Sequence, residues 1–136
     1  MLGPAIVARA MGVSAITTLI GNRLYPKAVP EEVDPVYPLA AYVVEDQDRE
    51  GTYGGGCQLV SAKVTIAFMA RSPAVAAQVR SAFLDAFEDQ SGTWGDTVVQ
   101  GAFFEDENEL ADRDPTTGEL SQYFGSELQF LVWYEN

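Results

Sequence analysis

Val60, Ala62, Val64, Ile66 and Phe68 alternate with Ser61, Lys63, Thr65 and Ala67, an unbroken period of two. That period turns one apolar face toward a core and the other away from it, which is the signature of a strand. Four residues later the period changes. Ser72-Pro73 supplies a hydroxyl cap and a first-turn proline, and together they open a helix. Val75, Val79, Ala82 or Phe83, Ala86 and Phe87 form its apolar stripe, with Gln78, Arg80, Ser81, Asp85 and Glu88 elsewhere. A strand followed directly by an amphipathic helix restricts the chain to designs that layer helices on a sheet.

The remaining segments extend that pattern in both directions. Residues 4–21 read as helix in two pieces, with Pro4 in the first turn and Gly12 weakening the middle. Ser14 is the expected cap of the second piece, and Gly21-Asn22 its stop. Residues 22–38 contain Pro26, Pro30, Pro35 and Pro38 and read as an extended linking segment. Leu39 to Asp46, LAAYVVED, is a strand, and Gln47 to Gly56 a glycine-rich hairpin loop. Ser91-Gly92 ends the central helix. Thr97 to Glu105 and Gln122 to Tyr134 are the third and fourth strands, separated by an acidic connector. The predicted order is αββαββ, an α+β domain over residues 1–136 with an antiparallel sheet of about four strands. Phe103 and Phe104 are adjacent and so point to opposite faces of one strand. Leu131 and Trp133 likewise lie opposite Phe130, Val132 and Tyr134. The second face of the sheet is therefore expected to be covered, by an oligomeric neighbour or by a helix on each side.

The composition removes whole classes of chemistry. The chain has 136 residues and no histidine, so the commonest general base, the usual zinc ligand and every Ser-His or Cys-His pair are missing. Cys57 is the only cysteine, so no internal disulfide can form and a reducing compartment is expected. The formal charge is -12 and the eight Lys and Arg form no run, which makes free nucleic acid a poor partner. That charge suits either solubility through self-repulsion or a surface that repels DNA lying close by. Arg9, Ser14, Thr17 and Thr18 interrupt the apolar N-terminus, so neither a signal peptide nor a membrane span is expected.

Two stretches invite a chemical reading. GTYGGG at residues 51–56 lacks the Gly-Lys-Ser/Thr ending of a phosphate loop and opens no helix. It reads as a flexible hairpin tip. The run at residues 105–119 contains Glu105, Asp106, Glu107, Glu109, Asp112, Asp114 and Glu119. A calcium loop starting at Asp112 would place Thr117 where glycine is needed and Tyr123 where glutamate is needed, so the register fails. Asp114 to Gly118 reads as a turn. No motif selects a carboxylate pair, and the residues name no catalytic group, cofactor or metal site.

LIGNRLYP leads into YPLAAYVVED, VSAKVTIAFMARSPAVAAQVRSAFLDAF follows, and the chain closes on GAFFEDENELADRDPTTGELSQYFGSELQFLVWYEN. In order and spacing, these segments resemble the phage tail-completion proteins, the tail-terminator or tail-to-head joining family of long non-contractile-tailed phages, prophages and gene transfer agents. The resemblance implies a structural virion protein rather than an enzyme. Such proteins form a ring, typically hexameric, at the head-proximal end of the tail tube after assembly in the host cytoplasm. The implied partners are further copies of the chain, the tail-tube protein and the head-tail connector or stopper, with double-stranded DNA passing through the lumen. The candidate contact residues are Arg23, Tyr25, Arg49, Tyr53, Asp106, Glu107, Glu109, Asp112 and Arg113. A different connector, stopper or tail-tube component is the near alternative, and an acidic divalent-metal enzyme is the alternative from another class.

Overall fold

The computed structural model of the chain describes residues 2–27, 37–50, 59–110 and 124–135, with the backbone alone at 46–50, 59 and 110. The GTYGGG stretch and the Asp114–Gly118 turn lie outside the described residues.

Two short helices come first. In α1, Leu2–Met11, the buried residues Leu2, Ala5, Ile6 and Ala10 recur at helical spacing. Gly12 closes the helix by donating to the carbonyls of Ala8 and Arg9. The chain then bends by 88° into α2, Ser14–Ile20, which buries Ile16 and Ile20 one turn apart. The expected Ser14 cap is corrected here. Val13 holds the extended capping position with no side-chain cap, so Ser14 is already helical. Gly21 stops α2 as expected, at φ 60°, with its N–H on the Thr17 carbonyl.

The predicted order and strand count are both corrected. The observed order is α1, α2, β1 (Leu24–Pro26), β2 (Leu39–Glu50), β3 (Leu59–Ala70), α3 (Pro73–Phe87), β4 (Gln90–Trp94), β5 (Thr97–Leu110) and β6 (Phe124–Glu135). Six strands form one sheet in the order β1-β2-β3-β6-β5-β4. All pairs are antiparallel except β1 with β2. The described residues form an α+β fold with three helices. The two additional strands are the short outer ones. β1 lies in the proline-rich segment expected to be a linker, at a sheet edge, where Pro26 interrupts no inner ladder. α3 ends at Phe87, ahead of the Ser91-Gly92 stop that was expected, and those two residues lie instead in β4, which pairs with β5 through a two-residue turn. In that turn Gly95 alone has a positive φ, 62°, the conformation a type II′ hairpin needs first.

β2 and β5 also outrun their expected ends, at Asp46 and Glu105, and reach Glu50 and Leu110. Each passes an irregularity in register, between Glu45 and Asp48 and between Phe104 and Asp106. In α3 the Ser72 hydroxyl accepts from the Val75 N–H at 3.1 Å, the cap that the sequence predicts.

The helices share one face of the sheet. Val60, Ala62, Val64, Ile66 and Phe68 of β3 and Leu128, Phe130, Val132 and Tyr134 of β6 meet Val79, Phe83 and Phe87 of α3 there. Phe87 lies edge-on to Trp94 at 5.4 Å and tilted against Phe130 at 5.9 Å, and Phe104 joins Phe130 at 5.7 Å. Each fully buried aromatic of this cluster contributes roughly 1.5–3 kcal/mol by leaving water, with edge and offset ring contacts adding to that. Arg9 ties α1 to this end of the core. Its Nε donates to the Ala86 carbonyl in the last turn of α3 at 2.9 Å, and its guanidinium lies 5.8 Å from the Trp94 ring.

Candidate functional site

Among the described residues, the opposite face of the sheet carries no helix. Phe103 is 48% exposed there. It lies opposite Leu131, and Gly101 lies opposite Trp133. The Phe103 ring folds back over Gly101, so closely that a Cβ at Gly101 would stand 3.0 Å from the ring. Gly101 therefore makes room for an aromatic ring to lie flat on the strand, beside half-buried Leu131 and Trp133. Phe103 and Phe104 point to opposite faces, as their adjacency requires: Phe104 packs in the core and Phe103 does not. The result is an apolar strip across β5 and β6.

Arg80 of α3 and Glu107 of β5 meet near one end of the same two strands, on the helix side. Two hydrogen bonds, Nε to Oε2 at 2.7 Å and Nη2 to Oε1 at 2.8 Å, join them fork to fork. The hydrogen bond from Arg80 holds the Glu107 carboxyl below the usual carboxylate range, with a smaller contribution from Ser126. Glu107 in turn raises the Arg80 guanidinium. Arg80, Glu107, Glu109 and Ser126 line an open cleft of about 420 Å³. On the strand itself, the Glu107 N–H donates to Asp106 Oδ1 at 2.8 Å.

The residues that the sequence marks for contact fall in two places. Asp106, Glu107 and Glu109 lie together on the far half of β5, with Asp106 and Glu109 exposed. Arg23 and Tyr25 lie across the sheet, before and on β1. Arg23 is engaged inside the chain. Its Nε donates to the Pro38 carbonyl at 2.9 Å and its Nη2 to the Leu19 carbonyl at 3.3 Å. Its own backbone accepts from Ala40 N–H and donates to Ile20. It thus ties the end of α2 to the start of β2 through two carbonyls. Tyr25 is half-buried opposite Ala41. Arg49 lies on β2 opposite Val60, with its side chain outside the description. Tyr53, Asp112 and Arg113 lie outside the described residues.

Arg80 and Arg9 also make specific contacts across the fold, and neither is among the contact residues that the sequence marks. Their partners are 27 and 77 residues away, so no local spacing announces them. Among the described residues no group of three or more carboxylates or thiols gathers to hold a metal ion. No single helix among them is long and apolar enough to cross a membrane.

Comparison with solved structures finds a chain of "Virion of native gene transfer agent (GTA) particle", with a TM-score of 0.61 and 17% sequence identity. The match covers 96% of this chain and 92% of that one, so the two share a fold over nearly their whole lengths. No curated protein matches the chain. Residues 4–135 match the family described as "Tail completion protein gp17". The chain therefore belongs to the tail completion protein gp17 family, whose members are structural proteins of the phage tail.

Proposed function

We propose that the chain, acting as one domain over residues 1–136, assembles with copies of itself into a ring at the head-proximal end of the tail tube. There it ends tube polymerisation and joins the tail to the head connector. One observation carries this reading: the three described helices share one face of the sheet, and the other face holds exposed Phe103 beside half-buried Leu131 and Trp133. An apolar strip with a half-exposed aromatic suits burial by a neighbour, and head-to-tail contacts between identical copies close into rings. The family membership supports the tail as the place where this happens. The ring's central channel would pass double-stranded DNA, and the -12 charge favours a carboxylate-lined wall that repels phosphate. Residues 47–56 and 105–122, with Arg49, Tyr53, Asp112 and Arg113 among them, are the segments proposed to meet neighbouring copies or the adjoining tail proteins.

Electron microscopy of particles made without this protein tests the reading. Tails of uncontrolled length, or finished tails unable to join heads, are the expected result. Normal, head-joined tails would overturn it. Labelling the protein along the whole tail, instead of at one end, would assign it to the tube.

A further inference from the structure

β5 is fourteen residues long and its outer neighbour β4 only five. β4 pairs with β5 from Thr97 to Ala102. Among the described residues nothing pairs with that side of β5 from Phe103 to Leu110. An open strand edge is a template for another strand, because each unpaired N–H and C=O can join a new ladder.

The chemistry of the edge selects the occupant. Residues 103–110 read FFEDENEL, with four carboxylates and no cation. Glu107 and Glu109 lie in register with Leu128 and Ser126 on the helix side, while Asp106 lies in register with Gln129 on the other. Carboxylates therefore flank an incoming strand on both of its faces. Because side chains alternate along a strand, basic residues at either parity would meet one. Arg80 already holds Glu107, whereas Glu109 opens onto the cleft of about 420 Å³, which is roomy enough for a lysine or arginine head. At the other end of the edge Phe103 offers an apolar contact.

A second copy of the chain fits poorly. Among the described residues the longest other open edge, β2 beyond Tyr42, carries Glu45, Asp46, Asp48 and Glu50 against Arg49 alone. The β5 edge of a second copy repeats the same carboxylates, and the outer strands β1 and β4 are only three and five residues long. Like charges placed opposite one another weaken a sheet.

We propose that the free edge of β5, Phe103 to Leu110, receives an extended segment of a different protein, rich in lysine or arginine, as a seventh strand of the sheet. The proposal stands apart from ring formation, since a single chain carries the same edge.

The test titrates the full-length protein with a ten-residue peptide alternating lysine and valine. A second peptide of equal charge has proline at alternate valine positions and backbone N-methyl groups on the lysines between them, which removes ladder donors at either parity. The lysine–valine peptide is expected to bind and to slow amide exchange at residues 103–110. Binding should fall by about tenfold or more with the proline peptide, and by a similar factor in the E105K/E109K double variant. Equal binding of both peptides would reduce the effect to attraction by a -12 chain and overturn the proposal. So would binding unchanged in E105K/E109K, protection confined to another segment, or no binding. Protection of 103–110 that grows with protein concentration alone, without peptide, would give the edge to a second copy and overturn it equally.

Discussion

Arg80 and Glu107 bind fork to fork across 27 residues of sequence, at 2.7 and 2.8 Å, and so fasten the middle of α3 to the far half of β5. The pair is half in solvent: the Arg80 side chain is 42% exposed and that of Glu107 26%. Screening therefore limits its worth to about 0.5–1 kcal/mol despite the bidentate geometry. Glu107 has a lowered pKa, chiefly through the Arg80 hydrogen bond. A group of this kind stabilises the fold above its unfolded pKa, roughly 4, and that share disappears as pH falls through the lower folded value. The raised Arg80 pKa has the opposite sense, and its share is lost only above the ordinary arginine range. Urea unfolding of Arg80→Met should show the deficit at pH 7 and a smaller one at pH 2, and 1 M salt should shrink it. An equal deficit at both pH values would mean that Arg80 acts by packing its stem.

Gly125 sits where β6 passes β3 with no room for a side chain. A Cβ there would collide with the Phe68 carbonyl oxygen, which is backbone and cannot swing away. Gly125→Ala should cost about 2–3 kcal/mol by forcing the two strands apart, near the upper end of overpacking. Chemical denaturation measures this, and a loss under about 0.5 kcal/mol, the size of an ordinary surface change, would show that the strands yield freely.

Arg23 offers a sharper contrast between two roles. Its hydrogen bonds to the Pro38 and Leu19 carbonyls make it a strut within the chain. Arg23→Ala leaves both acceptors short of a charged donor, at a cost of about 1–3 kcal/mol. Arg23→Lys should recover little, because an ammonium is a point charge and the guanidinium spans two carbonyls. Thermal unfolding of the two variants checks this. A variant of unchanged stability but reduced assembly would assign Arg23 to a neighbour instead.

What the sequence made legible was local. The β3 alternation, the Ser72 cap, the α3 stripe and the Gly21 stop each depend on residues within one or two turns of each other, and each occurs where the pattern places it. β4 was hidden because Gln90–Trp94 buries only Trp94 fully and shows no period. The signal that could have found it is the two-residue Gly95-Asp96 turn, whose first residue is the glycine a type II′ hairpin needs. β1 is three residues long and parallel, so its existence depends on β2, well ahead in sequence. The acidic ends of β2 and β5 read as loops by composition, yet β3 and β6 carry them on as strands through the ladder. Val13 caps α2 in place of Ser14 because the bend after Gly12 puts the extended backbone one residue earlier than the hydroxyl. Contacts such as Arg80 with Glu107 leave no local trace at all.

Phe103 separates assembly from folding. Its ring is half-exposed and covers the Gly101 backbone, while the buried core lies on the other face with Phe104 and Phe130. Phe103→Asp should therefore leave a folded chain, destabilised by about 1 kcal/mol from the loss of ring contact on the strand. At a copy-to-copy interface the same change would place a desolvated carboxylate against an apolar neighbour, and buried anchor aromatics of this type cost about 2 kcal/mol or more per contact when truncated. A ring repeats that loss at every junction, so the variant should stay monomeric where the parent chain assembles. Light scattering after size exclusion, run beside circular dichroism, reads both quantities from one sample. A folded Phe103→Asp chain that assembles like the parent would move the interface off this face of the sheet. A similar result for Trp133→Ala would remove the apolar strip from the assembly altogether.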